Sequence, residues 1–262
     1  DELILGHRHS EWTGWAPHIE EDVAFSSIAQ DEIGHAAAYY TLAGNILDKS
    51  ADEIAFGRKP VDYRNATFCE RPNGDWAYTL ARHWLYDHAD DLRLGSLQRS
   101  SNPDLANLAT KMRREERYHL LHADMWMKRI GHGPVEGRTR LIDALAHAYP
   151  DAIGLFEPIE GEEEILRQGL LLTGSEELKQ RFVDEIDQAL DDLGLPRSVK
   201  STDHAAEFVA SSSGDLIEGD EDLPDDGPSD PTGGRTGQHT PEFEELWEVL
   251  TLRYREDPGA RW

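Results

Sequence analysis

The sequence predicts an all-α protein, an antiparallel helical bundle followed by extra helices. Three observations carry this. Apolar residues recur at helical spacing through most of the chain, and almost no stretch alternates as a strand would. Breakers at Gly14-Trp15-Ala16-Pro17, Asn102-Pro103, Gly131 and Gly194-Leu195-Pro196 divide the chain into helix-length segments. Two Glu-x-x-His pairs, Glu32/His35 and Glu116/His119, stand on different segments. Residues three apart share a helix face, so each pair can aim a carboxylate and an imidazole at one point.

The elements follow in order. Residues 2–15 read as a first helix, stopped by the Gly14–Pro17 breaker. A second runs from about 18 to 48 through Val23, Ile28, Ile33, Ala36, Tyr40 and Leu47. Residues 49–72, with Gly57, Pro60, Asn65 and Pro72, read as irregular. Asn73-Gly74-Asp75 starts a third helix that reaches about Ser100. Asn102 caps a fourth, with Pro103 at its first position, and it continues to Ile130. A fifth spans Pro134 to Tyr149, residues 150–173 are mixed, and a sixth covers Ser175 to Leu193. Thr240-Pro241 caps a last helix carrying Phe243, Leu246, Trp247 and Leu250. The chain is expected to be one domain over 1–262. Its four-helix core spans about 1–131, C-terminal helices occupy 134–195 and 240–257, and an acidic mobile loop covers about 205–238.

Two Glu-x-x-His helices, joined by a carboxylate from each of two others, make the bridged dimetal site of ferritin-like bundles. The third helix offers Asp87, flanked by apolar residues, with Asp90 and Asp91 one turn on. Asp87 and Glu116 are 29 residues apart with a turn at about 101–103 nearly midway, so an antiparallel hairpin brings them level. The first hairpin fits less well. Glu11 is the obvious candidate on helix 1, but the turn at 14–17 lies far from the midpoint between Glu11 and Glu32. At ~1.5 Å per residue, Glu32 sits ~22 Å along a helix that starts at Pro17. On simple height Glu2 faces it better. Glu21 shares the Glu32 face three turns away and cannot reach the same ion. The expected metal set is Glu11, Glu32, His35, Asp87, Glu116 and His119, holding two iron ions. Asp31 and Glu115 directly precede the pairs and could orient the histidines. A lone Glu-x-x-His on a helix rich in both residues is close to chance; two on alternate helices of a bundle, with Asp87 between, are much less so. His7, His9 and His18 near the first turn read as surface or supporting groups, and the tryptophans as core and interface anchors.

Composition narrows the classes. With 26 basic against 52 acidic residues the net charge is −26, which makes nucleic acid and anionic membranes poor partners. The acids are spread over most helices, as in a solvated surface suited to high salt. Cys69 is the single cysteine, which suits a reducing, cytoplasmic setting. No apolar run approaches the ~20 residues of a membrane helix, and no signal-peptide pattern is seen. Phosphate loops, nucleophile elbows and Cys/His zinc spacings are lacking.

Several stretches together resemble the bacterial multicomponent phenylacetyl-CoA epoxidase over nearly the whole chain. They are His9-Ser10-Glu11, Ala16-Pro17, Gln30-Asp31-Glu32-Ile33-Gly34-His35, Arg71-Pro72-Asn73-Gly74, Arg117-Tyr118-His119-Leu120 and Gly234-Arg235-Thr236-Gly237-Gln238-His239-Thr240. The short link after Glu11 and the tail from Gly234 are most similar to the C subunit, the structural partner of the catalytic di-iron A subunit. The resemblance implies a ferritin-like fold, pairing with the A subunit, and membership of a complex that epoxidises phenylacetyl-CoA with electrons from a reductase subunit. In typical C subunits the dimetal ligands are degraded. Here Glu32, His35, Asp87, Glu116 and His119 match the catalytic pattern, and residues 211–231 look like an acidic insertion. A self-sufficient di-iron oxygenase or oxidase using those five residues is the competing reading.

Overall fold

The structure, a computed structural model, describes residues 1–197 and 231–259. Among these there are nine α-helices and no strand. They are α1 (Glu2–Ser10), α2 (Ile19–Leu47), α3 (Ala51–Phe56), α4 (Trp76–Leu97), α5 (Pro103–Gly131), α6 (Val135–Ala152), α7 (Glu162–Arg167), α8 (Ser175–Leu193) and α9 (Pro241–Glu256).

Local chemistry sets the ends. The Asp75 carboxylate accepts from the Tyr78 amide to start α4, and Asn102 accepts from the Asp104 and Leu105 amides to start α5. Gly194 ends α8 in the left-handed conformation, at φ 62°. The boundaries follow the sequence reading within a few residues, with one consequential difference at α1. It stops at Ser10, and residues 11–17 form turns rather than helix. The region 49–72 holds α3 and two 3₁₀ turns, and 150–173 holds a 3₁₀ turn and α7.

Four helices make the bundle. α1 lies antiparallel on α2, tied at the turn end where the Thr13 and Ser26 hydroxyls bond. α5 returns antiparallel along α4, where Arg113 donates to both oxygens of Asp91 and the Trp84 indole donates to Asp124. α2 and α5 also run antiparallel, linked by His35–Glu115 near their middles and Trp126–Glu21 near one end. Residues 48–75 form the single long crossover, as in other ferritin-like bundles. α6 and α8 cover the far side of α4. Trp84, Tyr86, Phe68, Phe182 and Phe243 share one apolar core that joins α4 to the C-terminal helices. α4 is therefore buried nearly all round, from Ala77 to Asp87 without interruption. Any polar residue in that stretch points into protein, which is what makes Asp87 informative.

At Gly6 the two helices of the first hairpin nearly touch. A Cβ there would stand 2.9 Å from the Glu32 Cβ and 3.2 Å from the Ala29 carbonyl. Residues 231–239 are anchored rather than free. Arg235 donates to Asp1 and to the Arg64 and Leu155 carbonyls, and the buried Glu70 carboxylate accepts from Asn65 and the Thr240 amide and pairs with His239. That part of the expected mobile loop is thus packed against the crossover, while the stretch at 198–230 lies outside the described residues. Among the described residues no helix is long and apolar enough to cross a membrane.

Candidate metal centre

Five of the six residues predicted to share a site converge between α2, α4 and α5: Glu32, His35, Asp87, Glu116 and His119. The sixth place is filled by Glu2, from the first turn of α1, and not by Glu11. Glu11 lies at the far end of α1, a third exposed, where it accepts from Arg8 and Asn73. The cause is the early end of α1. Eight non-helical residues take up the length between the hairpin arms, so the start of α1, eight residues before its end, comes level with Glu32. Glu21 is likewise remote, accepting from Trp126 at 2.9 Å and pairing with His122 at 2.8 Å.

The cluster has two halves. Glu2, Glu32, His35 and Glu116 offer ligand atoms within 4.8 Å of one another, and so do Glu32, Asp87, Glu116 and His119. Glu32 and Glu116 belong to both. Two shared carboxylates, with one imidazole and one further carboxylate in each half, make up the residue set of ferritin-like dimetal sites and would hold two cations. The imidazoles turn Nδ1 inward: His35 Nδ1 lies 3.3 Å from Glu116 and 3.5 Å from Glu2, and His119 Nδ1 lies 3.2 Å from Glu116. Their outer nitrogens are held crosswise. His35 on α2 bonds Glu115 on α5 at 2.9 Å, and His119 on α5 bonds Asp31 on α2 at 3.3 Å. The acids before each pair therefore serve the opposite pair, which adjacency along the sequence does not reveal. Beyond Asp87 stands His83, 3.3 Å away, followed by His9 and His122 around Phe25. Of the three histidines expected near the first turn, His9 is thus in the interior and His18 is exposed.

The electrostatics are those of a site built for cations. Burial drives Glu32 well above the usual carboxylate range, helped by the charges of Glu2 and Glu116. Burial, then Glu116, does the same to Asp87. Burial also opposes ionisation of Glu116 and Glu2, but the approach of Glu32 and His35 to Glu2, and of His119 and His35 to Glu116, outweighs it and holds both low. Burial works against the imidazolium forms, yet contacts with Glu116, Glu2 and Glu115 raise His35 to about 11, and contacts with Asp31 and Glu116 raise His119 to about 10. Protons thus supply the positive charge in the metal-free protein. Both oxygens of Glu32 and of Asp87, one each of Glu2 and Glu116, and Nδ1 of His35 are buried without a hydrogen-bond partner. Buried polar atoms are seldom left so. Oxygens and imidazoles converging in this way fit first-row cations such as iron or manganese.

Family comparison places the bundle. The pattern of the family described as "Phenylacetic acid catabolic protein" matches residues 1–210. The chain belongs to that family. A curated member of it, the C subunit of the 1,2-phenylacetyl-CoA epoxidase of Escherichia coli (strain K12), is 27% identical over 264 residues, covering 99% of this chain and 94% of the relative. The resemblance read from the motifs and the all-α bundle both stand.

Proposed function

We propose that the chain is a C-type, auxiliary subunit of a phenylacetyl-CoA epoxidase in aerobic phenylacetate breakdown, and that it pairs with a catalytic A-type subunit. The observation that carries this is the end-to-end match to a C-type relative, with almost the whole of each chain aligned. A self-sufficient oxygenase is not favoured by that match. The partner's docking face is the seam of α2 and α5. Tyr118, Leu121 and Met125, spaced i, i+3, i+7 on α5, are all more than half exposed, as are Ile19 and Val23 on α2. Asp31 and Glu115, which hold the two imidazoles, lie on the same seam. Copurification with the A-type subunit tests the reading. The wild-type chain should give a stable hetero-complex by size exclusion, and Tyr118→Asp with Leu121→Asp should abolish it while leaving the helical content unchanged. A chain that forms no complex and oxidises substrate alone sinks it.

We further propose that the subunit keeps a working dimetal site, with two iron ions as its cofactor. Glu32 and Glu116 would hold both ions, Glu2 and His35 one, Asp87 and His119 the other. Bound iron supplies a redox-active, oxygen-reactive centre. The chain's own part is to fix the imidazole rings through Glu115 and Asp31 and to keep water from Asp87 and Glu32 by burial. Elemental analysis of the purified chain, loaded anaerobically with ferrous iron, should find two equivalents.

A further inference from the structure

A cavity of about 570 Å³ lies between α4, the starts of α1 and α5, Tyr39 of α2 and the stretch from Leu155 to Leu178. That is within the ~300–1,000 Å³ of small-molecule sites. Its body is apolar, lined by residues such as Leu97, Leu105, Ile165, Leu170 and Leu171. Its polar end is formed by Glu2, Asp90, Arg93 and Tyr39. Asp90 is nearly inaccessible, and while its Oδ1 accepts from Arg93 at 2.6 Å, its Oδ2 has no hydrogen-bond partner. A buried, unsatisfied carboxylate oxygen at the end of an apolar pocket marks a place where a ligand group completes the bonding.

The charges define what that group is. The wall carries five carboxylates, Asp1, Glu2, Asp90, Glu157 and Glu162, against two guanidiniums, Arg93 and Arg235. Both guanidiniums are already paired, Arg93 with Asp90 and Asp1, and Arg235 with Asp1. No cation is left over for a carboxylate or phosphate head, and an incoming anion meets repulsion. We propose that this cavity binds an uncharged, mainly apolar small molecule, its hydrogen-bonding head against Asp90 and its body among the leucines. Glu2 borders both this cavity and the carboxylate–histidine cluster.

Octanamide and octanoate test it, since they share a tail and differ in the charge of the head. In calorimetric titrations of the full chain at neutral pH, octanamide should bind saturably at one site, and octanoate roughly tenfold or more weakly, because its charge must be desolvated beside carboxylates. Leu170→Trp fills the cavity from one wall and Ala89→Phe from α4; each should remove octanamide binding. If Ala89→Phe does not fold, Leu170→Trp, on a half-buried segment, decides with its thermal unfolding as control. Absence of octanamide binding, equal or tighter binding of octanoate, or undiminished binding by folded Leu170→Trp would each overturn the proposal.

Discussion

Glu32 belongs to both halves of the cluster, so its replacement by leucine perturbs stability in two opposite ways. In the metal-free protein both its oxygens are buried and unpartnered, and burial raises its pKa well above the usual carboxylate range. Leaving a polar group buried and unsatisfied costs ~1–3 kcal/mol. Glu32→Leu keeps the Cβ that rests on Gly6 and removes this penalty, so the metal-free variant should be more stable than wild type by ~1–3 kcal/mol. At ~2–4 °C per kcal/mol for a chain of this size, its Tm should rise by about 2–12 °C. Metal acts the other way. A cation at a hundred times its Kd stabilises a protein by ~2.7 kcal/mol per site, so wild type should gain ~5 kcal/mol from two ions and the variant nothing. The order of the two melting curves should therefore invert on adding ferrous iron under nitrogen. Elemental analysis should count two ions in wild type and none in Glu32→Leu. Glu2→Gln and Asp87→Asn, each confined to one half, should keep one. A Glu32→Leu protein that is less stable than wild type without metal, and still holds two ions, would refute the bridging assignment.

Other changes separate the parts of the site. Glu11→Gln should leave iron content at the wild-type value and cost at most ~1 kcal/mol in urea unfolding, since Glu11 meets only Arg8 and Asn73 at a partly exposed position; loss of metal there would restore Glu11 as a ligand. Asp31→Asn and Glu115→Gln should each weaken metal binding ~10–100-fold in chelator competition without changing the count at saturation. Gly6→Val should force α1 off α2 at a cost of ~1–3 kcal/mol and lower metal content, by moving Glu2. His9 gives a pH signature. Burial, then the charges of His83 and Arg82, hold its pKa well below 6.5, so only the unfolded chain takes up its proton as pH falls. Stability should then decline below pH ~6.5, by up to ~1.4 kcal/mol per unit from this group, and His9→Phe should flatten the urea midpoints between pH 6.5 and 5 accordingly.

What could be read in the sequence divides along the two hairpins. In the α4–α5 hairpin the turn is brief and capped by Asn102-Pro103, so equal residue counts translate into equal heights, and Asp87 opposite Glu116 follows from arithmetic. In the α1–α2 hairpin the same arithmetic fails because helix and turn spend residues at different rates. Residues 11–17 are polar, aromatic and glycine-containing, and their turn bonds compete with helix where the apolar period is weak. Glu11 stands in the more conspicuous motif, whereas Glu2 looks like an ordinary first-turn acid. A usable signal was Gly6, four residues after Glu2. A glycine inside a helix costs stability and points to a packing reason, and here the reason is α2, whose Glu32 and Ala29 leave no room for a Cβ.

The same hairpin contrast bears on what the cluster does for the bundle. Each ligand pair is steadied by an acid on the other helix, Asp31 for His119 and Glu115 for His35, so α2 and α5 are stitched together by the cluster itself. Four buried carboxylates with two imidazoles are a poor way to stabilise an interior without cations, because replacing such groups with apolar ones is often neutral or favourable. Their retention on all four bundle helices therefore argues for cations that neutralise them, and a metal-filled α2–α5 seam is a stiffer surface for a partner to dock on than a protonated one. Metal content and complex formation should accordingly rise and fall together: stripping iron with a chelator should loosen the hetero-complex severalfold, whereas Glu32→Leu, whose seam needs no metal, should bind the partner equally well with or without chelator.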